Sequence, residues 1–95
     1  MTRNELLRSM IRALSGMTED GHTFTVSDQW LVTAHVGRKG SSLTVPHVVK
    51  ISLEPDFVTL ETSKGHRYAV MDEEVYALAQ EPSERDPKGR RAGFA

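Results

Sequence analysis

The sequence predicts an α+β domain: an N-terminal helix, a four- to five-stranded antiparallel sheet built as a meander, a short C-terminal helix and a disordered tail. Three observations predict it. From Leu43 to Val70, apolar and polar residues alternate in runs of strand length, each broken by turn residues. Ahead of that stretch, Leu6, Leu7, Met10, Ile11 and Leu14 recur at helical spacing. Behind it, Asp72-Glu73-Glu74 precedes Val75, Leu78 and Ala79, as acidic residues do at a helix start.

Taken in order, Thr2-Arg3-Asn4-Glu5 has the capping-box pattern, in which a Thr oxygen and a Glu carboxylate satisfy the first free amides. A helix is expected over 3–15, stopped by Gly16, with Arg3, Arg8 and Arg12 on its polar face. Thr18-Glu19-Asp20-Gly21 reads as a turn. Phe24 and Val26 alternate with Thr23 and Thr25 in a short strand. In Trp30–Val36, Trp30, Val32, Ala34 and Val36 share one face, and Leu31, Thr33 and His35 share the other.

Gly37–Ser42 reads as a glycine- and serine-rich loop before the longest strand, Leu43–Glu54. There Leu43, Val45, Val49, Ile51 and Leu53 should point inward, with Thr44, Val48, Lys50 and Ser52 outward. Pro46 cannot donate to a ladder, so that strand lies at an edge there or is bulged. Phe57–Thr62 and His66–Val70 follow, joined by Ser63-Lys64-Gly65, which suits a type I turn with glycine in the left-handed region. Pro82 should end the last helix.

Length and composition bound the rest. Ninety-five residues suffice for one small core, read as a single domain over 1–81 with a flexible basic tail over 82–95. The body holds eight Lys/Arg against eleven Asp/Glu, and the tail four (Arg85, Lys88, Arg90, Arg91) against Glu84 and Asp86. An acidic body argues against a dedicated nucleic-acid binder, which presents a basic face on its folded domain. The absence of cysteine excludes disulfides, a thiolate nucleophile and sulfur-ligated zinc. No apolar run is long enough for a bilayer, and arginines interrupt the N-terminal stretch, so a cytoplasmic protein with no membrane partner is expected.

Candidate sites are sparse. His22, His47 and His66 fall on one expected sheet face, but no ligand spacing such as H-x-x-x-H pre-places them, so no metal or cofactor is assigned. Gly37-Arg38-Lys39-Gly40-Ser41-Ser42 could offer amides to an anion, yet it lacks the Walker order and a following helix. Ser41 and Ser42 have no nucleophile-elbow context, and capping accounts for Asp72, Glu73 and Glu74. The string Gly40–His47 resembles the glycine–serine–histidine strand of small RNA-cleaving toxins with an α-β-β-β-α fold. The histidine that family places after Gly-Ser is Ser42 here, so no active site is carried over and no family is assigned.

The expectation is therefore a non-catalytic binding or regulatory module acting through protein–protein contact, with a homodimer among the arrangements it allows. Its surface would be the outward apolar row of Leu31, Pro46, Val48 and Phe57. The alternative is nucleic-acid binding through Arg3, Arg8, Arg12, Arg38, Lys39, Arg90 and Arg91.

Overall fold

The computed structural model describes residues 3–38 and 40–83, with the backbone alone for residues 3, 4 and 38. Thr2 of the expected capping box and residues 84–95 of the expected tail lie outside the described residues. Helix α1 (Arg3–Arg12) leads into β1 (Met17–Asp20), β2 (Thr23–Val26), β3 (Trp30–Arg38), β4 (Ser41–Leu53), β5 (Val58–Thr62) and β6 (Arg67–Val70). A 3-10 turn, Asp72–Glu74, then precedes β7 (Val75–Pro82). The strands make one curled antiparallel sheet ordered β1-β2-β4-β3-β7, with β5 on β4 and β6 on β5.

The chain is thus mostly β, and the expected α+β class is corrected. Where a C-terminal helix was expected, the acidic run makes a single 3-10 turn and Val75–Pro82 is a strand. The reason lies in β3. Its Val32 and Ala34 are fully buried, and its edge away from β4 carries backbone groups that need partners. β7 supplies them, with Leu31 opposite Glu81, Thr33 opposite Ala79 and Ala34 opposite Leu78. Pairing of that extent outweighs the helix preference of Ala, Leu and Gln, which amounts to only tenths of a kcal/mol per residue.

Two further boundaries move. Met17–Asp20, expected as a turn, pairs with β2 residue by residue, and the turn itself is Gly21-His22. The expected loop 37–42 is shorter, because Arg38 already pairs with Ser41. The β5–β6 connection follows its sequence: Gly65 has φ +86°, its amide donates to the Thr62 carbonyl at 3.0 Å, and Thr62 and His66 close the loop.

The long strand β4 holds the molecule together. One of its edges pairs with β3 along Ser41–Val48 and with β2 along Lys50–Ser52, while the other pairs with β5 along Val48–Leu53. It has one residue too many at two places. Against β3, Pro46 and His47 oppose Thr33 alone, and against β5, Val49 has no counterpart between Val48 and Lys50. Each bulge reverses which residues face inward. The buried set is accordingly Val45, then Val48, then Ile51 and Leu53. Val48, expected to face outward, is core, while Leu43 near the start of the strand is exposed.

Inside the curl, Leu7 and Ile11 of α1 join Phe24, Val32, Val58, Leu60 and Val75 in one buried cluster. Full burial of such side chains contributes roughly 1.5–3 kcal/mol each. Past Arg12 the helix tightens, with the Leu14 amide donating to the Ile11 carbonyl, and the chain turns at Gly16. Gly16 has φ +72°, and a Cβ there would overlap the Trp30 indole. Gly16→Ala should therefore lower unfolding free energy by about 1–3 kcal/mol in urea titration, with the slope against denaturant unchanged.

Candidate functional site

The bend in β4 opens a groove. Between the pairs Thr25↔Lys50 and Val32↔Val48, β4 advances by Val49 alone, while residues 26–31 fill the other side. That surplus cannot stay in the ladder. It loops away at Ser27-Asp28-Gln29 and returns at Trp30, whose amide donates to the Ser27 carbonyl at 3.1 Å. The space left behind is about 460 Å³, within the range of ligand clefts.

Its lining is apolar with a polar rim. Val26, Trp30, Leu31, Val48 and Val49 form the walls, and Ser27, Asp28, His47, Ser63 and Ser83 supply the polar groups. Among the described residues, Asp28 is the only charged one in that lining. The β5–β6 hairpin is pinned to the bend, because the Ser63 amide donates to the His47 carbonyl at 3.0 Å. His47 itself has φ +57°, the left-handed region that a non-glycine residue seldom occupies. Strain of this kind costs on the order of 1–3 kcal/mol and persists where the surroundings hold it.

The expected surface residues do not form one row. Leu31 and Val48 meet at the groove, where Val48 is only 1 % exposed and so gives depth to its floor rather than surface. Pro46 is exposed beside it and lines a smaller cavity of about 160 Å³ with His47, Thr62, Lys64, His66 and Tyr68. Phe57, 39 % exposed, lies in the β4–β5 turn and lines neither cavity.

His47 and His66 therefore share a cavity, whereas His22 sits in the β1–β2 turn beside Arg8. No group of three His, Asp or Glu residues is placed to hold a metal ion among the described residues. His35 is on the outer face of β3, its ring centroid 6.1 Å from that of Tyr76.

The helix arginines have a structural employment that the sequence reading missed. Arg12 donates from Nε to Glu19 Oε1 at 2.9 Å and from Nη2 to Oε2 at 2.7 Å, a two-pronged clasp on β1. Arg8 donates from Nη1 to Glu19 Oε2 and to the Gly21 carbonyl, both at 3.2 Å. Its Nη2 lies 3.0 Å from His22 Nδ1, which accepts because a guanidinium only donates. Arg8 also sits over the Phe24 ring, 5.7 Å from its centroid. The side chains of Arg3 and Arg38, and residues Lys39, Arg90 and Arg91, lie outside the described residues. The signal available in the sequence was the spacing of Arg8 and Arg12, four apart on one helix face.

The chain matches no family model, and comparison with curated proteins and with solved structures finds no match. No helix among the described residues is long and apolar enough to cross a membrane.

Two outcomes follow from this geometry. The Arg12 hydrogen bond, reinforced by the charges of Arg12 and Arg8, holds the Glu19 carboxyl below the usual carboxylate range. A carboxyl depressed in the folded state adds stability above its unfolded pKa and loses it as pH falls through the folded one. The melting-temperature gap between wild type and Glu19→Gln should therefore be open at neutral pH and close on acidification below about pH 4. At His47, glycine relieves the left-handed strain and a β-branched residue worsens it. His47→Gly should be neutral or stabilising by up to about 1 kcal/mol, and His47→Val destabilising by about 1–2 kcal/mol, by urea titration.

Proposed function

We propose that this chain is a small non-catalytic module of the cytoplasm that binds a segment of a partner protein in the groove at the β4 bend. The observation that carries this reading is the groove's construction: apolar walls from Trp30, Leu31 and Val49 over the buried Val48, with polar groups at the rim. A cleft of that kind takes an apolar side chain and fixes its flanking backbone by hydrogen bonds. Asp28 on the rim favours a Lys or Arg beside the apolar anchor.

The same lining disfavours the nucleic-acid alternative. Among the described residues it holds no lysine or arginine and one carboxylate, which disfavours phosphate. Arg8 and Arg12 are already bonded to Glu19, which lowers their worth to a second anion. For catalysis, a nucleophile needs its base within hydrogen-bond reach. His47 has no hydrogen bond to a serine or carboxylate among the described residues, which favours binding over nucleophilic chemistry.

Panning a random-peptide display library against the immobilised protein tests the reading. Peptides with one aromatic or aliphatic anchor next to a basic residue should be enriched. Their affinity should fall about tenfold or more in Leu31→Glu, a loss typical of a central contact, with little change in melting temperature. Failure to enrich any peptide, or equal binding by wild type and Leu31→Glu, would contradict it.

A further inference from the structure

The free edge of β7 carries an inference independent of the groove. β7 pairs with β3 on one side only, and no strand among the described residues pairs with the other. Which backbone groups face outward follows from one hydrogen bond. The Ser83 amide donates to the Gln29 carbonyl at 2.8 Å, and the register continues that pair as Leu31↔Glu81, Thr33↔Ala79 and His35↔Ala77. In an antiparallel ladder, bonded and non-bonded pairs alternate. Glu81, Ala79 and Ala77 therefore bond to β3, while Pro82, Gln80 and Leu78 turn their backbone groups away from it. Pro82, having no N–H to offer, falls on the outward side, where it breaks no ladder bond.

Exposed edges are ordinarily blunted by brevity, charge or proline. β1 has four residues, with Glu19 and Asp20 among them. β6 also has four and begins with Arg67. The edge of β4 away from β3 carries Pro46. β7 is longer: it has eight residues, and Val75–Gln80 is uncharged, with its proline only at the end, Pro82, and its register shift near the start, at Tyr76. Tyr76, 62 % exposed, stands at its start.

We propose that β7 pairs antiparallel with the β7 of a second copy, making a two-fold dimer whose sheet runs through both protomers. Self-pairing is favoured over a foreign strand by the charge pattern. A two-fold axis through Leu78 sets Leu78 against Leu78, Gln80 against Tyr76, and Glu81 against uncharged Val75. Leu78, with its amide and carbonyl outward, then exchanges two hydrogen bonds with its own copy. A shift of the axis by half a residue would set outward-turned Leu78 against Ala77, which bonds to β3, so the alternation excludes that register. A shift by one residue, to Ala79, would set Pro82, which has no N–H, against Tyr76. The interface is isologous and closes at two copies.

Sedimentation equilibrium of the full chain from about 1 μM to 1 mM tests the proposal, since edge pairing lies at the small end of the interface range. Wild type should pass from monomer to dimer and stop there. Leu78→Ala keeps the outward amide and should still dimerise, whereas Leu78→Pro removes it and should stay monomeric. Wild type itself supplies a check that needs no folded variant: exchange of the Leu78 amide should slow several-fold as concentration rises through the dimer transition, while that of the Glu19 amide on β1 does not. A wild-type monomer throughout, or a dimer in which Leu78 exchange is independent of concentration, overturns the proposal.

Discussion

The structure depends on one constraint: β4 must satisfy three neighbouring strands with thirteen residues. A regular strand of that length, roughly 40 Å at about 3.3 Å per residue, would outrun one short helix and could not bury its apolar side from end to end against it. Extra residues at Pro46-His47 and at Val49 let it bend instead. Each extra residue turns the side chains over, and two in succession restore the original sense. Val45, Val48, Ile51 and Leu53 consequently all face one interior although their numbering breaks step twice. The groove is the other consequence of the bend, since residues 26–31 must leave the ladder where β4 advances by only one.

Around that strand, the remaining elements close the interior. α1 places Leu7 and Ile11 on the core and is held at its polar face by the Glu19 clasp. Its C-terminal end is tied to the opposite margin of the sheet. There the Gln80 side chain donates from Nε2 to the Ser15 carbonyl at 2.6 Å and accepts from the Ser15 amide at 2.9 Å. The helix thereby bridges β1 and β7, the two ends of the strand order. Exposed ion pairs contribute little individually, so the apolar contacts of Leu7 and Ile11 dominate and the polar ties set orientation.

Local pattern was legible where local physics decides the outcome. The stripe from Leu6 to Leu14 gives α1, the alternation around Val32, Ala34 and Val36 gives the inward face of β3, and Ser63-Lys64-Gly65 gives its turn. What was not legible depends on neighbours distant in sequence. Val75-Tyr76-Ala77-Leu78-Ala79-Gln80 has residues at ease in a helix, and an acidic run ahead of it imitates a cap. Only the unpaired edge of β3 makes it a strand. Met17–Asp20 is polar because it is an edge, and Glu19 reads as turn material until its arginine partners are seen. For the groove, Pro46 announced one irregularity in β4. The second, at Val49, has no proline or glycine to mark it, so the burial of Val48 could not be read from alternation. Leu31 lines the groove, and its neighbours there come from β2, β4 and the β5–β6 hairpin, the last two distant from it in sequence.

The central claim is that a doubly bulged β4 sets the register of the whole sheet, with β7 as its outer strand beside β3. Backbone-assigned NMR tests it most directly, through cross-strand NOEs and secondary chemical shifts. The account predicts contacts pairing Val32 with Val48, Ala34 with Val45 and Ala34 with Leu78, and extended shifts across Val75–Pro82. Contacts pairing Val32 with His47, the register of an unbulged strand, or helical shifts across Val75–Pro82, would contradict it.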